Sequence, residues 1–354
     1  MSRYINIFYI KNKILVLTIV SIFLLLVVAV CSYQLGIVTE KAKYSRFLSS
    51  FKNIREDSDK YSFISPLIGG VSSASTDVGI YSDVKEQIQQ YVNEEKRKGD
   101  LLDASFYFRD LSTNFWFGDN EDSKFFPASL FKLPIAIAIY KASEDDHAHT
   151  LLDKQVVYTQ ELDNLNTANQ TNAESSLIVG RAYSVRDLVY IMLTASDNGA
   201  KNLLLSVLDT KYLDQLFRVV AISDISSTKI YEVSTREYAH FLRILYSSSY
   251  LNEYHSEIIL EILAKSTFRQ GLVAGVPVSV PVAHKFGVYE FMEKNDSISR
   301  ETIQLHDCGV IYHPSKPFIF CMMTKGLNEN SLFEIISNVS KIIYNYQDTK
   351  DGDK

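Results

Sequence analysis

Strand-type alternation is confined to the two ends of this chain, and the stretch between them is helical. Residues 104–109 and 113–118 read as two short strands joined by a turn, and strands return only at 280–289, 305–312 and 317–324. Residues 129–142, 184–195, 199–208, 211–220, 235–247 and 253–264 each carry helical apolar spacing, several opened by a Ser, Thr or Asn cap. Amphipathic helices at 81–98 and 331–346 flank the whole. That order predicts an α+β domain: one antiparallel sheet assembled from both ends of the chain, with an all-helical subdomain inserted into it.

A second constraint lies near the N-terminus. Residues 14–30 (ILVLTIVSIFLLLVVAV) carry no charge, and at ~1.5 Å per residue they cover most of a hydrocarbon core of ~30 Å, with Cys31, Ser32 and Tyr33 completing the span. This reads as one transmembrane helix at 14–33. Arg3, Lys11 and Lys13 precede it and are expected to stay cytoplasmic, which puts the rest of the chain outside the cytoplasm at the cell membrane. The rival is a cleaved signal peptide, against which stand the length of the run and the poor small-x-small site Ala29-Val30-Cys31. The expected organisation is a cytoplasmic N-terminus at 1–13, the anchor, a Ser/Gly-rich stalk at 34–76, a folded domain at 77–346 and a polar tail at 347–354.

The net charge of −6 and the lack of a basic patch interleaved with aromatics argue against nucleic acid as a partner. Three cysteines do not make a disulfide framework, but Cys308 and Cys321 lie nearly symmetrically about the His313-Pro314-Ser315-Lys316-Pro317 turn and can face each other across a hairpin. Asp145, Asp146, His147 and His149 read as a solvated loop, so no metal or other cofactor is expected. His284 reads as a packed strand histidine.

Chemistry concentrates in three short motifs. Ser129 and Lys132 stand one turn apart at the mouth of an apolar helix, a spacing that brings an amine over a hydroxyl nucleophile. Ser-x-x-Lys also occurs at Ser49/Lys52, Ser82/Lys85 and Ser226/Lys229, but only Ser129 is followed by an apolar run and by two partner motifs. Those are Ser196-Asp197-Asn198 and Lys285-Phe286-Gly287. Ser196 can pass a proton to a departing nitrogen, Asn198 can hold a substrate amide, and Asp197 reads as structural. Lys285 and Gly287 share one face of a strand, with Lys285 as a second cation that lowers the basicity of Lys132. The N–H groups of Ser129 and Val288 are the expected oxyanion donors. Pro134 removes the helical bond to the carbonyl of Leu130 and predicts local distortion.

Together these motifs resemble the active site of penicillin-recognising serine hydrolases, and from Leu101 to Ile343 the chain resembles a class A β-lactamase-type domain. The segment from Gly180 to Leu188 leading to Met192, and His306-Asp307-Cys308-Gly309-Val310, are also similar. The resemblance implies a five-stranded antiparallel sheet flanked by helices. It also implies an acyl-enzyme at Ser129 with a β-lactam or a peptidoglycan-derived peptide. Phe286 stands where the family usually carries a hydroxyl that holds the substrate carboxylate. The segment 221–233 is too short for the family's long loop with its deacylating glutamate, leaving Asp224 and Glu232 as the available acids. A D,D-peptidase, a β-lactam sensor trapped as the acyl form and an envelope scaffold are the competing readings.

Overall fold

The computed structural model describes residues 20–36, 39, 54–55, 61–69, 79, 81–163, 176–222, 232–295 and 298–349, in two compact units, Met1–Lys52 and Asn53–Lys354. In the first unit residues 20–36 are helical, with apolar side chains such as Phe23, Leu25 and Leu35 exposed. Residues 14–19 of the expected span lie outside the described residues. Among the described residues no helix is long and apolar enough to cross a membrane.

The second unit is built on the sheet that the sequence predicts. Strands β1 (Leu101–Asp110) and β2 (Trp116–Asp119) join β3 (Val282–Asn295), β4 (Ile298–Ile311) and β5 (Phe318–Gly326) in the order β2-β1-β5-β4-β3. Every neighbouring pair is antiparallel, and β3 is an edge strand. The β3–β4 hairpin is longer than expected. Its ladder continues through Phe291↔Thr302 to Asn295↔Ile298, past the last β4–β5 rung at Ile303↔Gly326. Charged residues between Glu290 and Glu301 break the apolar alternation there, because a ladder not covered on both faces is not obliged to carry it.

Helix α1 (Ser82–Lys98) ends at Gly99, whose φ of 102° suits a residue without a Cβ. It packs with the final helix α8 (Glu329–Thr349) on one face of the sheet, and α6 (Thr235–Tyr246) covers the other. The inserted subdomain holds α2 (Lys132–Asp145), α3 (Val185–Thr194), α4 (Asn198–Val207), α5 (Lys211–Val219) and α7 (Glu253–Ala264). Leu133 to Tyr140 of α2 are all buried, since α3, α4, α5 and α7 pack around it. The caps read in the sequence form: Ser184, Asn252 and the Ser234/Glu237 capping box satisfy the first N–H groups of α3, α7 and α6.

Two boundaries differ from expectation. Part of the segment read as a stalk belongs to the compact unit, which begins at Asn53 rather than at residue 77. There the Glu257 carboxylate accepts the N–H groups of Ser62, Phe63 and Ile64 at 2.7–3.0 Å, and Tyr312 Oη donates to the Phe63 carbonyl at 2.9 Å. At the other end α8 continues to Thr349 with Gln347 buried, so the polar tail starts later. Cys308 and Cys321 are disulfide-bonded across β4 and β5, directly opposite each other in register.

Glu257→Ala leaves three consecutive N–H groups without their acceptor. Unfolding free energy is expected to drop by roughly 1–3 kcal/mol, with faster proteolysis between residues 61 and 66. Denaturant melts and limited proteolysis measure both, and no change in either means that the carboxylate does not hold this segment.

Candidate active site

The three motifs, far apart in sequence, meet at one point. Ser129 lies in a 3₁₀ turn, Ala128–Phe131, that runs directly into α2, so it precedes the α-helix instead of opening it. The distortion expected from Pro134 is resolved by a side chain: Tyr238 Oη donates to the freed Leu130 carbonyl at 3.1 Å. Lys132 then begins α2. Its Nζ reaches Ser129 Oγ at 3.0 Å, Ser196 Oγ at 3.1 Å and the Ser196 carbonyl. From β3, Lys285 Nζ donates to Ser196 Oγ and to the Phe286 carbonyl, both at 2.9 Å. The Ser196 hydroxyl therefore bridges the two amines.

Burial determines how these amines behave. Lys132 and Lys285 are each about 1% exposed. Burial, then the charges of Lys285 and Lys201, hold the Lys132 ammonium well below the usual lysine range, with Asp197 opposing. Burial brings Lys285 down to about 7 against the supporting charge of Asp307. Lys201, on α4 three residues after Asn198, was not singled out in the sequence, although its spacing puts it on the same helical face.

Backbone geometry is specialised on both sides of Ser129 Oγ. Ala128 and Ser196 take φ values of 49° and 58°, left-handed conformations that strain a residue with a Cβ by about 1–3 kcal/mol each. Asp197 caps α4 through Ala200 N–H at 2.8 Å and binds Ser176 through its N–H and hydroxyl at 2.6 and 2.9 Å, the structural role expected of it. Asn198 follows as the first residue of α4. A Cβ on Gly287 would stand 2.9 Å from the Pro127 carbonyl oxygen and 3.0 Å from Ser129 N, so only glycine lets β3 approach the Ser129 turn this closely.

Register also fixes the direction of the Val288 N–H. Cys308 and Cys321 sit opposite each other at a Cα–Cα distance of 4.0 Å, the close spacing of a pair that exchanges no backbone bonds. The backbone groups of Cys308 therefore point toward its β3 partner Lys285, and those of Phe286 and Val288 point to the free edge. Val288 N–H is thus turned to the free edge of β3, one residue past the Gly287 that meets Ser129 N.

Phe286 stacks on Phe268 at 3.8 Å with 16° between planes, and Lys285 Nζ lies 4.3 Å from its ring centre. Nothing in the sequence pointed to Phe268. His284 is packed as expected, with Nδ1 2.8 Å from Asp307 Oδ1. Asp146 caps a local turn by accepting from Ala148, Thr150 and Leu151, and among the described residues no acid, His or Cys cluster has metal-site geometry. Of the other Ser-x-x-Lys copies, Ser82 and Lys85 lie on α1. Ser49/Lys52 and Ser226/Lys229 lie outside the described residues, as do Asp224 and the loop at 164–175. Glu232 is exposed.

The family model described as "Beta-lactamase enzyme family" matches residues 83–347, three quarters of the chain. The chain belongs to that family. No curated protein matches it. Among solved structures, PBP-A is 22% identical with a TM-score of 0.62, over 76% of this chain and 97% of that one. A point mutant of PBP-A, at the same identity, was solved as an acyl-enzyme complex with penicillin G. A β-lactamase from Chitinophaga pinensis is 16% identical with a TM-score of 0.62, over 75% and 99% of the two chains. One from Burkholderia phymatum is 19% identical with a TM-score of 0.61, over 76% and 99%. These likenesses establish the β-lactamase fold.

In this family member His306 secures the turn that carries Ser129. Thr324 N–H donates to Nδ1 at 3.3 Å, so Nε2 carries the proton and donates to the Phe126 carbonyl at 3.0 Å. Burial holds its pKa at about 4 against an ordinary 6.5. The unfolded chain takes up this proton first. Stability is therefore expected to be full above pH 6.5 and to decline as pH falls toward 4, by on the order of 3 kcal/mol from this group. Urea melts across that range should show a shallower slope for His306→Gln than for the wild type, and equal slopes would remove His306 from the account.

Proposed function

We propose that this protein is a membrane-anchored serine hydrolase that forms an acyl-enzyme at Ser129 with β-lactams or related cell-wall peptide amides. The observation that carries this reading is a buried, deprotonation-prone Lys132 amine 3.0 Å from Ser129 Oγ, joined through Ser196 to Lys285. Neutral Lys132 takes the Ser129 proton as Oγ bonds the substrate carbonyl carbon. The oxyanion meets the N–H groups of Ser129 and Val288, a donor of this kind contributing ~3 kcal/mol. As the C–N bond breaks, the proton held on Lys132 passes through the Ser196 hydroxyl to the departing nitrogen. Lys285 keeps its charge and orients that hydroxyl, while Asn198 and Gly287 line the substrate's path; Phe286, on the other face of β3, stacks on Phe268 instead.

The uncharged run at 14–33 and the exposed apolar helix at 20–36 support an anchor with the hydrolase domain facing the cell envelope.

Ser129→Ala is expected to abolish covalent labelling by a fluorescent penicillin while Ser82→Ala labels normally. Lys132→Ala should slow acylation by ~10²- to 10⁴-fold. Acylation should slow where Lys132 takes up a proton and also where Lys285, at about 7, loses its own, since one must be neutral and the other charged. Label persisting in the Ser129 variant defeats the assignment, and a flat pH profile defeats the division of roles.

The short segment 221–233 favours slow turnover, because Glu232 is exposed and Asp224 is the other acid it carries. The adduct is expected to persist, with deacylation slower than acylation by ~10²-fold or more. Intact-protein mass followed over time measures this directly: a gain lost within seconds means a β-lactamase, and a lasting gain means a sensor or peptidase.

A further inference from the structure

Away from Ser129, the face of the sheet that α6 covers carries a second group of cations. Odd-numbered residues of β1 point to that helix: Ser105 Oγ lies 2.8 Å from Thr235 Oγ1, and Tyr107 and Arg109 follow on the same face. At the other end of α6 the Tyr246 ring lies 6.5 Å from that of Tyr312, which follows Ile311, and the ladder sets Ile311 opposite Phe318 and Phe318 opposite Asp110. The helix therefore runs alongside β1 in the same direction. The strand advances ~13 Å from Ser105 to Arg109 and the helix ~12 Å from Thr235 to Arg243, so the two arginines stand level. Arg236, His240 and Arg243 recur at i, i+4 and i+7 and form one stripe along α6. Arg236 lies 4.5 Å over the ring of Trp116, the β2 partner of Arg109, which places the stripe on the β2 side of the helix.

The stripe is neutralised at one end only. Arg236 pairs with Glu121 and Asp122 at 2.6 and 3.1 Å, and Glu237 is taken by Lys124 and by the Ser234 N–H. Among the described residues Arg109 and Arg243 have no ion pair. Arg109 is 9% exposed; its Nη1 donates to Tyr107 Oη at 3.2 Å, and its Nε is buried with no hydrogen-bond partner. Burial lowers the pKa of Arg243 and the charge of Arg109 adds to it, while His240, lowered first by burial, feels both arginines and keeps its Nδ1 on the Val220 carbonyl at 3.2 Å. A buried guanidinium held by one neutral hydroxyl lacks the anion that would offset its removal from water. Arg243 is exposed, so an ion can reach the pair from solvent. Two forks of N–H donors arriving from different elements suit a tetrahedral polyanion better than a carboxylate, which a single guanidinium satisfies.

We propose that Arg109 and Arg243 hold an oxyanion of the phosphate class, free phosphate or the phosphate of a lipid headgroup, at a site separate from Ser129. Strands β5 and β4 lie between β1 and β3, so the two sites share no residue and this one stands whether or not an acyl-enzyme forms. The test is calorimetric binding of inorganic phosphate to the full chain in neutral detergent, at an ionic strength held constant with chloride. The wild type should bind saturably, and Arg243→Gln and Arg109→Gln should each weaken binding by roughly tenfold or more. Arg97→Gln, an exposed change on α1 across the sheet, should leave it unaltered, and acetate at the same ionic strength should not displace the phosphate. Arg243 is exposed, so its variant decides the proposal even where Arg109→Gln does not fold. Short-chain phosphatidylglycerol added in competition separates the sources: displacement identifies the headgroup, and none identifies the free ion. The proposal is overturned by a wild type without saturable binding, by equal binding to Arg243→Gln (the result if Lys132 and Lys285 held the ion), by an equal loss in Arg97→Gln, or by displacement with acetate.

Discussion

Two lysine side chains buried against one serine hydroxyl are the constraint on which the rest of this structure depends. Removing an ammonium from water is costly unless it is paired or neutralised, and here the partners are a hydroxyl and carbonyls instead of a carboxylate in contact. The cheapest response is for the amine closest to Ser129 to give up its proton, and that response is what a general base requires. A destabilising arrangement persists only where the surroundings leave it no alternative. The largely buried α2, the Asp197-capped α4 and the edge strand β3 supply that rigidity from three directions.

The turn that carries Ser129 is held with similar redundancy. Pro134 frees a carbonyl that Tyr238 takes from α6, His306 grips Phe126 from β4, and Gly287 lets the β3 backbone close against Ser129. Each contact comes from a different element, so the turn is positioned by the sheet and the helical layer together. The left-handed backbone of Ala128 and Ser196 belongs with this: strained residues flank the Ser129 hydroxyl because neighbouring elements fix where it must stand.

Much of this was legible in the sequence, for identifiable reasons. The segregation of strands from helices gave the sheet and its inserted subdomain, and Ser129, Lys132, Ser196 and Lys285 were recognisable by residue type, spacing and order. Their convergence was not derivable from spacing, because 64 residues separate Lys132 from Ser196 and 89 separate Ser196 from Lys285. The docked segment at 61–66 escaped notice since Glu257, nearly two hundred residues away, supplies its acceptor. The hairpin overhang was missed because a ladder not fully covered need not alternate apolar with polar. Even so, the Lys285, Gly287, Tyr289, Phe291 series shows the period of two once the strand is known to continue.

The placement of Lys285 and Gly287 hangs on the register of β3. A slip of one residue would turn Lys285 and Gly287 away and present Phe286 to Ser129, moving the aromatic series to the other face at the same time. The sheet resists this close to the site. Cys308, the partner of Lys285, is covalently bound to β5, which fixes β4. Across the next strand boundary, His284 and Asp307 pair diagonally at 2.8 Å, and Gly309 sits so close to His284 that a Cβ would come within 2.6 Å of its side chain. These pins lie on the face away from Ser129 except for the disulfide, so they restrain the strand without occupying the site. An edge strand has only one neighbour to hold it, and the residues that hold this one are concentrated where Lys285 must be placed.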